Sequence, residues 1–175
     1  MVVASQYHDG VIAPTSLRGF LRSVYLSGMG LFSSFETTPF LRCIFCHYVF
    51  DDQLELFQGQ LVSLLRVGSF VDTSTCMNMI EGKQPIDRPY FHLSFDDGFR
   101  NVVKNAAPIL KKYNIPSLFF VPTSFIGASY EKVCEYCLQI AHYKSPIEMC
   151  SWDDLKKAGD MGMDIGSHTR THARF

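Results

Sequence analysis

The sequence lacks the features of a nucleic-acid-binding or membrane-spanning chain. Its 175 residues carry a formal net charge of −1, without a basic tract or a block of like charges, which argues against a nucleic-acid partner. No segment approaches the roughly 18 to 20 uninterrupted apolar residues of a membrane helix. The apolar stretch 19–35 is interrupted by Arg22 and by serines and glycines. We therefore interpret residues 1–38 as an N-terminal arm or helix.

An export signal is also missing from the N-terminal residues. MVVASQYHDG has no positive region followed by an apolar core, so no signal peptide is predicted and a cytoplasmic location is favoured. In that setting reduced and mostly buried thiols are expected rather than disulfides. The sequence has six cysteines, namely Cys43, Cys46, Cys76, Cys134, Cys137 and Cys150.

Two cysteine motifs match patterns of haem or zinc binding, but the surrounding sequence argues against both. Cys43, Cys46 and His47 match the covalent haem pattern C-x-x-C-H, but they lie in a continuous apolar segment that predicts a core strand. Cys134 and Cys137 form a second C-x-x-C. A zinc site built from both pairs is disfavoured, because one pair lies on a predicted strand and the other on a predicted helix.

Apolar strands alternate with helical patterns from about residue 39 onward. This alternation predicts a parallel α/β architecture, either a barrel or an open sheet, whose chemistry lies at the C-terminal ends of its strands. His92 is predicted to be a core residue, whereas His47 is compatible with either a core or a site position. The predicted strands are 40–50, 68–71, 89–95, 115–122 and 163–168, and the predicted helices are 52–66, 73–82, 99–114, 130–143 and 151–162.

Two strand ends carry residues suited to a metal site. Asp96 and Asp97 follow one strand, and His168 and His172 follow another. One carboxylate and two imidazoles would supply three protein ligands, as in catalytic zinc sites that leave a position for water. The second carboxylate would then be placed to accept a proton from that water. An isolated Asp-Asp-Gly is more often only a turn, so the prediction depends on the two motifs occurring together.

The segments LSFDDGFRN (93–101) and SWDDLKKAGDMGMDIGSHTRTH (151–172) resemble the polysaccharide deacetylases, the NodB-homology carbohydrate esterases. The similarity extends over about residues 40–172 and implies a distorted (β/α) barrel that removes acetyl groups from glycans. It implies that Asp96 is the general base. It also implies that Asp97, His168 and His172 hold a divalent metal, with zinc expected and cobalt or nickel as alternatives.

The sequence departs from this family after the histidine motif. It contains neither the family's arginine motif nor the Leu-x-His motif that supplies the general acid. We therefore expect a partial barrel domain over residues 39–175, with exposed sheet edges that favour self-association. The implied activity is N-deacetylation of a polysaccharide or oligosaccharide containing N-acetylglucosamine. A non-catalytic metal- or glycan-binding remnant and a hydrolase of another linear or cyclic amide are the alternatives.

Overall fold

A five-stranded parallel sheet forms the centre of the molecule. The computed structural model describes residues 38–173, so the predicted arm lies almost wholly outside the described residues. The strands are β1 (Phe40–Cys46), β2 (Ser69–Phe70), β3 (Pro89–Phe95), β4 (Ser117–Val121) and β5 (Met163–Ser167). Their order is β1-β3-β4-β5, and β2 pairs with the first half of β3. This arrangement confirms the predicted parallel α/β class.

Helices connect the strands and cover both faces of the sheet. They are α1 (Leu54–Val67), α2 (Thr73–Ile80), α3 (Ala107–Lys112), α4 (Tyr130–Cys134) and α5 (Trp152–Asp160). A capping box begins α5, since the Ser151 hydroxyl accepts from the Asp154 N–H and the Asp154 carboxylate accepts from the Ser151 N–H. No helix within residues 38–173 is long and apolar enough to cross a membrane.

Most predicted bounds lie within two residues of the structure, and three elements differ further. The helix predicted over 130–143 is divided into α4 and a π-helical turn, Glu135–Ile140. The first strand ends at Cys46 rather than at residue 50, and the chain then turns to bury Val49 and Phe50. The helix predicted over 99–114 is divided into a π-helical turn, Val102–Ala106, and α3. Pro108 lies at the start of α3, where its missing N–H interrupts the regular hydrogen-bond pattern of a longer helix.

The alternation of side chains along β3 separates two packed regions. Leu93 and Phe95 point into the main core, which α1, α3 and α5 cover. Tyr90 lies on the opposite face and packs with Cys76 and Met79 of α2. The helix α2 therefore packs on the face of the sheet opposite to the main core.

Candidate metal centre

A sharp turn places the two aspartates at the end of β3. Asp97 and Gly98 both have left-handed backbones, with φ of 72° and 73°. A Cβ at Gly98 would lie 3.1 Å from the Ile126 side chain, so glycine meets both the conformational and the spatial requirement. The Asp96 N–H donates to the carbonyl of Cys46 at 2.9 Å, which fixes the turn to the end of β1.

The two histidines lie in a turn after β5 rather than on a helix. The His168 N–H donates to the Val121 carbonyl at 2.9 Å, so this histidine is held at the end of β4. Thr169 and His172 adopt φ of 61° and 59°, which reverse the chain between the two imidazoles. The ring centroids lie 4.8 Å apart. The two histidine side chains converge, as the predicted metal site requires.

Asp97, His168 and His172 meet with the spacing of a metal ligand set. The Asp97 Oδ1 lies 3.5 Å from the His168 Nε2 and 3.4 Å from the His172 Nε2. These separations exceed an ordinary N–H···O hydrogen bond of about 2.7–3.2 Å. Ligand atoms at about 2.0–2.2 Å from a tetrahedral zinc would be roughly 3.3–3.6 Å apart. The donor set therefore fits a divalent cation.

Two tyrosines orient the buried Asp97 carboxylate, which is only 2% exposed. The Tyr136 hydroxyl donates to Oδ1 at 2.7 Å, and the Tyr143 hydroxyl donates to Oδ2. Burial and the charge of Asp97 raise the pKa of Tyr136, so it stays a protonated donor. Hydrogen bonds of this kind fix the orientation of a ligand around a metal. Neither tyrosine was predicted from the sequence, because their segment carries no recognisable motif.

Asp96 lies beside the triad in a half-buried position. Burial raises the pKa of its carboxyl group, and the charge of Asp97 adds to this effect. Protonated His168, His47 and His172 would act in the opposite direction. A carboxylate with a raised pKa is suited to accept a proton near neutral pH. His47, for which the sequence left two interpretations open, lies at the edge of this site.

The segment 127–150 leaves and re-enters the domain beside the aspartate turn. The Gly127 N–H donates to the Cys150 carbonyl at 2.8 Å, which joins the two ends of the segment. The Cys150 N–H donates to the Gly98 carbonyl at 2.9 Å, and Phe99 and Met149 form an antiparallel bridge. The segment carries Tyr136 and Tyr143, and these contacts fix it next to Asp97.

The two C-x-x-C motifs lie on a strand and on a helical segment as predicted, but Cys43 is not a core residue. Neither C-x-x-C pair contributes two ligands to a metal-capable cluster within residues 38–173. Cys43 is exposed, contrary to the prediction of a core cysteine, because it lies on the outer strand β1 and faces away from the main core. It lies instead with Cys76 and His92 in a second cluster of potential ligands. His92 is buried as predicted.

A model of the polysaccharide deacetylase family matches residues 83–175, which are more than half of the sequence. This chain belongs to the polysaccharide deacetylase family. Its fold is the partial (β/α) barrel that the sequence resemblance predicted. No curated protein matches the chain significantly.

Solved structures share this fold. IcaB from Ammonifex degensii is 27% identical with a TM-score of 0.63, over 77% of this chain and 55% of that one. The Streptococcus pyogenes deacetylase PplD, in complex with acetate, is 19% identical with a TM-score of 0.55, over 78% and 59%. A de-N-acetylase from Aggregatibacter actinomycetemcomitans is 22% identical with a TM-score of 0.56, over 74% and 55%. The chain thus spans between half and two thirds of the length of these proteins.

Proposed function

We propose that this chain carries the metal-binding and base-bearing part of a de-N-acetylase that acts on a glycan containing N-acetylglucosamine. The observation that carries the proposal is the spacing of Asp97, His168 and His172, with Asp96 beside them. Membership of the deacetylase family supports the reaction class. The shared fold with a protein described as a de-N-acetylase supports the choice of an amide bond.

The three ligands and the base would have separate tasks. Asp97, His168 and His172 would hold zinc, with cobalt or nickel as alternatives, and Tyr136 and Tyr143 would keep Asp97 oriented. A zinc ion bound there supplies Lewis acidity, which polarises an amide carbonyl and lowers the pKa of water. Asp96 accepts the proton of the attacking water, for which its raised pKa is suited.

Departure of the amine requires a proton donor. The family resemblance assigns that task to the histidine of a Leu-x-His motif, and the 175 residues contain no such motif. We therefore expect this chain by itself to bind metal but to turn over slowly.

We also propose that the deacetylase domain begins at residue 39, one position before β1, and that it self-associates through its sheet edges. β1 and β5 are the outer strands of the described sheet, and Phe45 on β1 and Ile165 on β5 are 64% and 43% exposed. Unpaired parallel edges with apolar side chains favour a second copy as partner. Sedimentation that shows only monomer across a wide concentration range would contradict this arrangement.

Metal content is the first test of the proposed function. Elemental analysis of the purified chain should give a metal equivalent that the double variant His168→Ala, His172→Ala loses. The Asp96→Asn variant should keep that equivalent, because its side chain is not one of the ligands. Asp153→Asn, an exposed carboxylate on α5, is the matched control. The proposal fails if the wild-type chain gives the same zinc content as the double variant after zinc is added.

Catalysis is tested by acetate release from N-acetylglucosamine oligomers at high protein concentration. Asp96→Asn should abolish the release that the wild-type chain and Asp153→Asn still show. Release by Asp96→Asn at the wild-type rate would remove Asp96 from the role of base.

A further inference from the structure

A second group of potential ligands lies on the face of the sheet opposite to the main core. Cys43 of β1 and His92 of β3 are direct partners in the parallel register, so their side chains lie next to each other on the same face. Cys76 approaches them from α2, where it packs with Val71 and Tyr90. Three separate elements therefore bring two thiols and one imidazole together.

The spacing of these groups corresponds to a thiolate metal site. The Sγ atoms of Cys43 and Cys76 are 4.0 Å apart, and ligand atoms of all three residues lie within 4.8 Å of one another. Sulfur atoms at about 2.3 Å from a tetrahedral zinc would be separated by roughly 3.8 Å. We propose that Cys43, Cys76 and His92 bind a thiolate-preferring cation, zinc, with water in the fourth position.

A hydrogen-bonded chain prepares the imidazole for this role. The Thr73 hydroxyl donates its single proton to Asp164 Oδ2 at 2.8 Å, because a carboxylate oxygen accepts. The contact of 3.3 Å between Thr73 Oγ1 and His92 Nε2 must then have the ring as donor. The proton of His92 thus lies on Nε2, and the lone pair of Nδ1 is available to a cation. Metal-ligating histidines usually donate their other ring N–H to an oxygen acceptor, which here is the Thr73 hydroxyl that is itself bonded to Asp164.

This cluster is separate from the Asp97 centre, although β3 contributes to both. Asp96, just after β3, follows His92 by four residues, and His168, just after β5, follows Asp164 by four residues (96 − 92 and 168 − 164). Four residues of a strand correspond to about 13 Å. The chain should therefore hold two ions at separate sites. This inference does not depend on the proposed deacetylase function.

Cobalt(II) titration of the reduced 175-residue chain tests the inference directly. Thiolate coordination gives an intense sulfur-to-cobalt charge-transfer band in the near ultraviolet, which the Asp97 centre, with oxygen and nitrogen ligands, does not give. The wild-type chain should develop this band, and added zinc should abolish it. Cys43→Ser should remove the band. Because Cys43 is exposed, this change should leave the far-ultraviolet circular dichroism unchanged.

Two variants distinguish this cluster from a nearby thiol and from the Asp97 centre. Cys46→Ser lies on the same strand but on the opposite face, so it should retain the band. The double variant His168→Ala, His172→Ala should also retain it while losing the other metal equivalent. The inference is overturned if the reduced wild-type chain gives no band, or if Cys43→Ser gives a band as strong as Cys46→Ser does. A Cys43–Cys76 disulfide in oxidised protein, with no band after reduction, would assign these thiols to redox chemistry instead.

Discussion

Removal of the Tyr136 hydroxyl should weaken metal binding without removing a ligand. Tyr136→Phe keeps the buried ring and deletes only the hydrogen bond of 2.7 Å to Asp97 Oδ1. Loss of such an orienting partner costs about 10- to 100-fold in metal affinity. That range corresponds to about 1.4–2.8 kcal/mol of binding free energy. A second change, Tyr143→Phe, removes the donor to the other oxygen and should weaken binding further.

The assay is competition for zinc between the protein and a chromophoric chelator at fixed pH. All variants should be made in the Cys43→Ser protein, so that only the Asp97 centre binds zinc in this assay. Tyr130→Phe is the matched control, because this tyrosine lies on the same segment and is 74% exposed. The reasoning is refuted if Tyr136→Phe binds zinc as tightly as Tyr130→Phe does. It is also refuted if the loss equals that of His168→Ala, since Tyr136 would then be required for the site to form.

Three further changes probe the framework that holds the site. Gly98→Ala should lower the free energy of unfolding in urea by about 1–3 kcal/mol, because it combines a left-handed backbone with crowding at 3.1 Å. Gly127 has a similar φ of 66° but open space around it. If Gly127→Ala lowers the free energy of unfolding as much as Gly98→Ala does, crowding is not the cause. Ser151→Ala should lower the free energy of unfolding by about 0.5–2 kcal/mol, because α5 loses its N-terminal cap. An unchanged urea midpoint would contradict this. Burial alone would raise the pKa of Asp154, but hydrogen bonds from Ser151 and the charge of Arg100 lower this pKa overall. The carboxylate therefore stabilises the folded state above its unfolded pKa, and this stabilisation is lost as the pH falls through its folded pKa. Asp154→Asn should therefore reduce the acid dependence of unfolding, and an unaltered dependence would count against this carboxylate.

The sequence was sufficient to predict the parallel sheet and the meeting of its polar strand ends. Apolar strands that alternate with helices leave few topologies, and all of them gather the C-terminal strand ends at one edge. Asp97, His168 and His172 converge for this reason, although 71 positions separate the first two (168 − 97). Their roles as ligands, and that of Asp96 as base, stay predictions.

The remaining features depend on contacts that no local pattern encodes. Tyr136 and Tyr143 belong to a segment without a motif, and only its return to the aspartate turn shows what they bind. The C-x-x-C-H motif groups Cys43 with Cys46 and His47, which are not its neighbours in the cluster of potential ligands. Its neighbours are set by strand register and by the position of α2, which place Cys76 and His92 beside it. Side-chain periodicity alone does not determine strand register, because a shift of two residues keeps every side chain on the same face of the sheet.

The two ends of the segment 127–150 lie next to each other. Because the Gly127 N–H donates to the Cys150 carbonyl, a change in the length of the segment need not move the strands that it connects. The entropy of closing such a loop changes only slowly with its length. The same segment carries both phenols that contact Asp97. If Asp97 binds a metal as proposed, changes in this segment alone would alter metal affinity while Asp97, His168 and His172 stay the same.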